Sequence, residues 1–163
     1  MNSNQPVIIR PFQDGDADAI IDLITQCYAE YGQKIELDTL DDDLLRIGQV
    51  YVEPRHTFQV MVDEDKIIGT VAVKTTAEGE VDLKRVFLNS DYRGRGLGKA
   101  LSNWAIDWAR RRGFRTMHIW SDVLYETAHH LYRGLGAEDT GERRSLGGIN
   151  HVDEYYFRLD LGL

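Results

Sequence analysis

The spacing of apolar residues predicts alternating strands and helices along the whole chain. Short runs with strand-like spacing cover residues 7–10, 57–62, 66–75, 80–88, 116–121 and 153–161. Helical spacing follows the acids at 14–16 and reaches Tyr31, and it returns at residues 41–47, 97–108 and 128–135. This order, β-α-α-β-β-β-α-β-α-β, predicts an α/β (α+β) fold in which helices cover both faces of a mixed sheet.

Length and composition are those of one globular domain, and we predict that residues 1–163 form it. Hydrophobic residues make up 42% and charged residues 28% of the chain. The single Cys27 excludes a disulfide framework, and its place on a helical apolar stripe predicts a small core residue. No apolar run approaches the roughly 18 residues of a membrane span, and the first residues lack a signal peptide's pattern. These features predict a cytoplasmic protein without membrane contact.

Charge is distributed unevenly along the chain. The formal net charge is −8, yet residues 84–115 carry nine Lys or Arg and only two acids, so the rest of the chain sums to −15. A basic island in an acidic protein suits a small polyanion better than a long nucleic acid. We therefore expect no nucleic-acid partner.

A glycine-rich turn lies inside this basic island. Residues 93–98 read Arg-Gly-Arg-Gly-Leu-Gly and lead directly into the predicted helix at 97–108. A turn of this kind presents several backbone N–H groups, and the N-terminus of the helix adds a partial positive charge. Together with Arg93, Arg95 and Lys99, the turn predicts a site for an anion with more than one phosphate.

The strand before the turn has an irregular alternation. Apolar residues lie at 81 and 83 and then at 86 and 88, so the pattern slips by one position around Lys84 and Arg85. A β-bulge at residues 84–87 would absorb the extra residue and leave backbone groups free to bind a ligand. The alternative is a regular strand that is buried on both faces. This pattern alone leaves both interpretations open.

Two segments resemble motifs of a known family. Residues 83–101 resemble motif A of the GCN5-related N-acetyltransferases, with Arg93, Gly96 and Gly98 at the motif's defining positions. Residues 128–137 are similar to motif B of the same family, and the predicted order of elements agrees from end to end. The chain is thus identified as a member of this family on two motifs at a suitable separation.

The resemblance implies a fold, a cosubstrate and a reaction. The sheet would be mostly antiparallel and splayed between strands 4 and 5, with acetyl-coenzyme A (acetyl-CoA) in the opening. The activity would be acetyl transfer to the primary amine of a small molecule or peptide by direct attack on the thioester. The residues implied in coenzyme binding are Val86, Phe87, Leu88, Arg93, Gly94, Arg95, Gly96, Leu97, Gly98, Lys99, Tyr125 and Ala128. Tyr125 occupies a position where many members carry Asn.

The chemistry of acetyl transfer selects candidate catalytic residues. The resemblance assigns Tyr132 as the acid that protonates the leaving thiolate, although its helical stripe equally predicts a core residue. A backbone N–H of Phe87 or Val86 would stabilise the oxyanion. The candidate bases are Glu80, Asp82 and Asp122, each of which is also expected as a solvated surface carboxylate. His129 and His130 are predicted on an exposed helix face, and no His, Cys or acid has metal-ligand spacing, so we predict no metal.

The acceptor site is expected between residues 30–43 and 141–156, with Glu30, Tyr31 and Arg144 as candidate substrate-binding residues. The acids of the first segment would attract a cationic amine, whereas Arg143, Arg144 and a loop at 145–148 would bind a carboxylate. The sequence leaves this choice open. It also leaves open a non-catalytic acyl-CoA sensor of the same fold and a homodimer, to which Trp104, Trp108 and Trp120 could contribute. The absence of a Gly-x-x-x-x-Gly-Lys-Ser/Thr segment disfavours a nucleotide enzyme.

Overall fold

The computed structural model describes residues 5–162 and contains one seven-stranded sheet. The strands are β1 (Ile8–Pro11), β2 (His56–Asp63), β3 (Lys66–Ala77), β4 (Glu80–Leu88), β5 (Thr116–Asp122), β6 (Glu138–Gly147) and β7 (Val152–Asp160). The helices are α1 (Ala17–Ala29), α2 (Ile47–Val50), α3 (Leu97–Arg111) and α4 (Glu126–Gly134). The strand order is β1-β2-β3-β4-β5-β7-β6, and only the β4–β5 pair is parallel.

Helices cover both faces of the sheet, as predicted. On one face Leu101 and Ala105 of α3 and Tyr132 of α4 pack with β-strand residues such as Val81 and Leu83. On the other face Ile20 and Ile24 of α1 pack with Leu44 and with Phe58 and Val60 of β2. Each helix therefore buries the apolar stripe seen in the sequence against one side of the sheet. Cys27 is buried at 6% exposure, which confirms its predicted place in the core.

The irregular alternation in β4 is a β-bulge. Ala72 pairs with Lys84 and Thr70 pairs with Phe87. An advance of three residues along β4 therefore lies opposite an advance of two residues along β3. Arg85 takes up the extra residue with a left-handed φ of +55°, and the Thr70 hydroxyl donates to its carbonyl oxygen at 2.7 Å. Val86 and Leu88 consequently pack against the same core cluster as Val81 and Leu83. The predicted bulge is confirmed, and the regular strand is excluded.

Strands β4 and β5 separate soon after they meet. They pair only where Glu80, Val81 and Asp82 lie beside Thr116, Met117 and His118. Beyond Asp82, the backbone of β4 has no strand partner on that side among the described residues, and a V-shaped opening begins. The predicted splay between strands 4 and 5 is confirmed.

Two elements differ from the sequence-based prediction. Residues 138–147, which were assigned to no element apart from a loop at 145–148, form β6, whose mostly exposed polar residues lack an apolar alternation. Pairing with β7 and side-chain ion pairs hold this strand, including Arg143 to Asp153 and Arg144 to Glu154. The helix expected at 41–47 is instead a 3-10 turn at Asp42–Leu45 followed by the one-turn helix α2.

None of the helices in the described part of the chain is long and apolar enough to cross a membrane.

Candidate active site

Two clefts meet in the opening between β4 and β5. We call the first the glycine cleft, with a volume of about 300 Å3, and the second the polar cleft, with about 200 Å3. The glycine cleft is lined by Cys27, Tyr31, Val86, Phe87, Leu88, Arg93, Gly94, Gly96, Leu97, Gly98, Lys99, Tyr125, Thr127, Ala128 and Leu131. Val86, Phe87 and Tyr125 line both clefts, so the bulge of β4 forms the junction between them.

The glycine turn opens α3 at one end of the glycine cleft. Gly94 and Gly96 have φ angles of +77° and +76°, which L side chains rarely adopt, so glycine is required at both positions. Gly96 is the N-cap of α3, whose first amides have no partner inside the helix. The turn therefore directs amides and the positive end of a 15-residue helix toward the cleft.

The three basic side chains of the turn have different surroundings. Arg93 forms two hydrogen bonds to Glu30, at 2.5 and 2.9 Å, and a third to the Leu88 carbonyl at 3.1 Å. Arg95 lies over the ring of Tyr92 and does not line the cleft. Lys99 is exposed and lines it. Eleven of the twelve residues predicted to bind coenzyme thus line the glycine cleft, and Arg95 is the exception.

The wall of the glycine cleft near the junction is aromatic. The rings of Tyr31 and Tyr125 are 4.7 Å apart. Tyr31 lines this cleft and not the polar cleft, and Glu30 lines neither because Arg93 holds it. Of the three predicted acceptor-binding residues, only Arg144 lines the polar cleft.

The polar cleft combines residues from both arms of the V. Its lining is Tyr28, Gln33, Glu36, Leu40, Asp41, Asp82, Leu83, Lys84, Arg85, Val86, Phe87, Trp120, Ser121, Asp122, Tyr125, Tyr132, Arg144, Leu146, Asn150, Val152 and Glu154. Tyr132 is 5% exposed and its ring contacts Phe157, so this residue belongs to both the core and the cleft. Burial raises the pKa of Tyr132, and the phenol keeps its proton near neutral pH.

The three candidate bases lie in different environments. Asp82 lines the polar cleft, and burial raises the pKa of its carboxyl group. Asp122 also lines it, but accepts hydrogen bonds from Gln33 Nε2 at 2.7 Å and from the Leu124 amide at 2.9 Å. Glu80 lines neither cleft, since its carboxylate contacts His118 at 2.9 Å.

Sequence analysis missed a hydrogen-bonded bridge across the polar cleft. Gln33, in the loop after α1, donates to Asp122 and accepts from the Tyr125 hydroxyl at 2.8 Å. A single glutamine in a polar loop has no distinguishing pattern in the sequence. This bridge nevertheless ties the first arm of the V to β5 and orients the tyrosine at the junction.

A buried ion-pair network supports the floor of the polar cleft. Arg85, whose side chain is 10% exposed, pairs with Asp41 at 2.8 Å and with Asp43. Burial alone would raise the pKa of the Asp43 carboxyl, but the guanidinium of Arg85 outweighs it and lowers that pKa. The bulge makes this network possible, because the left-handed backbone of Arg85 directs its side chain toward the loop before α2. Only the tertiary structure reveals it.

The position predicted for His129 was wrong. Its side chain is 4% exposed, packs against Tyr155 and Phe157 and contacts the Asp122 carbonyl through Nε2 at 2.9 Å. The helix is covered by β7 on the side that was expected to face solvent. His130 is exposed, as predicted. Within residues 5–162, no group of three His, Cys, Asp or Glu is arranged to hold a metal ion.

Comparison with known proteins agrees with this geometry. A family model described as "Acetyltransferase (GNAT) family" matches residues 17–137. An uncharacterized N-acetyltransferase of Escherichia coli (strain K12), YjgM, is 30% identical over 154 residues, which cover 91% of each chain. N-acetylaspartate synthetase of Xenopus tropicalis is 31% identical over 139 residues, 79% of this chain and 51% of that protein. The chain therefore spans about half the length of that second relative.

Solved structures show the same fold. A GNAT-family acetyltransferase from Staphylococcus aureus Mu50 superposes with a TM-score of 0.84 at 20% identity, covering 96% of this chain and 100% of that one. The yncA acetyltransferase of Salmonella typhimurium, solved with its cofactor acetyl-CoA, gives a TM-score of 0.73 at 18% identity, covering 98% and 96%.

The predicted family is confirmed, and with it the acyltransferase class and the cosubstrate that the family uses. Both motifs identified in the sequence contribute to the glycine cleft: motif A supplies the glycine turn and the bulge, and motif B supplies Ala128 and Leu131 of α4. The chain belongs to the GNAT family of acetyltransferases, whose cosubstrate is acetyl-CoA.

Proposed function

We propose that residues 1–163 act as one acetyltransferase domain that moves the acetyl group of acetyl-CoA to the primary amine of a small molecule or peptide. The observation that carries this proposal is the meeting of two clefts at Val86, Phe87 and Tyr125. One cleft suits a phosphorylated coenzyme and the other suits a polar acceptor. The thioester would lie at their junction, where an amine can attack it.

Coenzyme binding would use the backbone more than charged side chains. The amides at the start of α3 would bind the pyrophosphate, because they lack helical partners and carry the helix's partial positive charge. The pantetheine arm would pair with β4 along Val86, Phe87 and Leu88, where that strand has no neighbour from β5. Tyr125 and Ala128 would contact the arm from α4.

The transfer requires a base, an oxyanion donor and an acid. We assign Asp82 as the base, because it lines the polar cleft without a hydrogen bond and burial raises its pKa, which makes the carboxylate a stronger base. The neutral amine nitrogen bonds to the thioester carbon, and Asp82 takes the excess proton from that nitrogen and later releases it to solvent. A bulge amide of Phe87 or Val86 stabilises the oxyanion. The C–S bond then breaks, and the leaving sulfur takes the phenol proton of Tyr132, which solvent restores.

Asp122 and Glu80 would serve other purposes. Asp122 is occupied by Gln33 and the Leu124 amide, which suits a residue that positions Tyr125 through Gln33. Glu80 contacts His118, whose other nitrogen lies 2.6 Å from the Tyr156 hydroxyl, outside both clefts.

The first test combines coenzyme binding and turnover. Acetyl-CoA and CoA, but not ATP or NAD, should raise the melting temperature, since a ligand at about 100 times its Kd adds roughly 2.7 kcal/mol to stability. Tyr132→Phe should lower kcat about 100-fold and leave CoA affinity unchanged, because only the phenol proton is lost. A sensor of the same fold would bind CoA without releasing thiol from acetyl-CoA in the presence of any amine.

The acceptor panel should be broad. One relative takes its name from N-acetylaspartate, an acetylated amino acid, so amino acids belong in the panel beside polyamines and peptides.

We propose a cytoplasmic enzyme that forms a homodimer, to be tested by light scattering of the purified chain. Trp108 is buried in the core at 1% exposure, and Trp120 stacks on Tyr156 in the acceptor region. Trp108 is therefore not available for a dimer interface.

A further inference from the structure

Two charged side chains in the polar cleft have no partner. Asp82 and Lys84 make no hydrogen bond and no ion pair within 4 Å with any residue that the structure describes. The other charged residues of the cleft are paired: Arg85 with Asp41 and Asp43, Arg144 with Glu154, Glu36 with Thr39 and the Ile149 amide, and Asp122 with Gln33 and the Leu124 amide. One carboxylate and one ammonium are thus left for a ligand.

These two side chains point to the same side of β4. The ladder is regular there, because Lys74 pairs with Asp82 and Ala72 pairs with Lys84. Val81 precedes Asp82, and Leu83 lies between the two charged residues. Both apolar side chains pack into the core under α3 on the opposite face. Residues two apart on one strand face are separated by about 6.6 Å along the strand. That span suits a small molecule whose opposite charges are a few bonds apart.

Burial disfavours both charges, and the attraction between Asp82 and Lys84 offsets this only in part. Burial raises the pKa of the Asp82 carboxyl. Burial, followed by the positive charge of the neighbouring Arg85, lowers the pKa of the Lys84 ammonium. A ligand with a positive and a negative group would stabilise both, whereas a polyamine would pair with Asp82 and leave Lys84 next to further positive charge.

We propose that the acceptor is an amino acid, whose amino group meets Asp82 and whose carboxylate binds Lys84. This inference rests on the proposed acetyltransferase function and names its acceptor class. It also assigns the carboxylate to Lys84 in place of Arg143, Arg144 and the loop at 145–148, which the sequence offered for that role; Arg144 lines the cleft but pairs with Glu154. Arg143 pairs with Asp153, lies over Tyr155 and does not line the polar cleft.

The test compares amino acids with amines that differ only by loss of the carboxylate. Suitable pairs are alanine with ethylamine, valine with isobutylamine, phenylalanine with phenethylamine and lysine with cadaverine, beside the remaining amino acids. Thiol release from acetyl-CoA measures turnover, and calorimetry on protein saturated with CoA measures acceptor binding. We expect at least one amino acid to bind and react at least tenfold better than its amine.

Substitutions at Lys84 then assign the carboxylate contact. Lys84→Met should lower kcat/KM at least tenfold more for the amino acid than for the amine, mainly through KM. Lys84→Arg keeps the charge and should keep the preference. Lys74→Met is the matched control, because Lys74 lies opposite Asp82 on β3, is exposed and does not line the cleft.

The two proposals fail in different ways. Acetylation of amines with no preference for a carboxylate, or equal losses for amine and amino acid in Lys84→Met, overturns the amino-acid inference and leaves the acetyltransferase. Selective, Lys84-dependent binding of an amino acid without thiol release supports the acceptor class and overturns the proposed catalysis. Binding of no amino acid to the CoA complex overturns the inference.

Discussion

Arg93 shows how one residue can be recognised in the sequence and still have an unexpected partner. Motif A assigns it to the phosphate site, yet its guanidinium is bonded to Glu30. Both side chains are partly exposed, at 41% and 31%. A phosphate that approaches Arg93 must therefore compete with a neighbouring carboxylate that also repels it.

We expect Glu30→Gln to bind CoA more tightly. Exposed ion pairs contribute about 0.2–1 kcal/mol, so removing this one should lower Kd up to about fivefold. Calorimetry at low salt measures the change, which should shrink at higher ionic strength. Glu53→Gln, which removes a similar pair with Arg112 away from both clefts, is the control. Weaker binding by Glu30→Gln would mean that Glu30 holds Arg93 in its productive position.

At the scale of elements, the two glycines of the motif have different roles: Gly96 precedes α3 and Gly98 lies inside it. Gly96 has a left-handed backbone, while Gly98 lies inside α3 with a helical one. A Cβ at Gly98 would meet Leu131 Cδ2 at 3.7 Å, an ordinary contact. The motif's two glycines therefore differ in how much a methyl group should cost.

Gly96→Ala should lower the free energy of unfolding by about 1–2 kcal/mol and CoA affinity about tenfold, because a left-handed alanine is strained and relaxation would redirect the amides of the turn. Gly98→Ala should keep CoA affinity and unfold at the same or a slightly higher urea concentration, because alanine stabilises a helix by up to about 1 kcal/mol relative to glycine. Urea unfolding and CoA titration of both variants make the comparison. Equal CoA affinity in the two variants would contradict this role of Gly96.

The elements with a strong pattern were the ones that sequence reasoning identified. Helices α1, α3 and α4 bury one clear apolar face, and β2 and β3 are apolar on both faces. The slip in β4 left two interpretations, of which the structure shows the bulge. Strand β6 was missed because nine of its ten residues are exposed and its pairing with β7 depends on partners distant in sequence. The loop before α2 was read as helix because Leu44 and Ile47 have helical spacing, but they are buried from separate short turns.

At the scale of the whole molecule, buried and paired titratable groups set the response to acid. Hydrogen bonds from Arg10 lower the pKa of Asp16 below the usual 3.8, and the charge and bonds of Arg85 do so for Asp43 against the effect of burial. Burial lowers the pKa of His129 below 6.5. In each case the unfolded chain takes up a proton at a higher pH than the folded chain does.

The stability of the protein should therefore fall as the pH is lowered. His129 contributes stability that is lost below about pH 6.5, and Asp16 and Asp43 contribute stability that is lost below about pH 3.8. Urea unfolding between pH 8 and pH 3 measures the profile. Asp16→Asn should make the free energy of unfolding depend less on pH at the acid end of this profile. Asp107→Asn, an exposed substitution on α3, should leave the profile unchanged. A profile that is flat down to pH 3 would contradict the assignment.

The sequence by itself determined the family and the glycine turn, because both depend on local spacing that a backbone must obey. The splayed sheet was implied by the family resemblance, and the bulge was one of two interpretations that the residues left open. Only the tertiary structure decided which candidates share a cleft. It separated Glu80 from Asp82, although both lie on β4, and it removed Glu30 and Tyr31 from the acceptor side. It also joined Arg85 to Asp41 and left Lys84 unpaired. Pairing and burial depend on residues far apart in the chain, and local patterns carry no record of them.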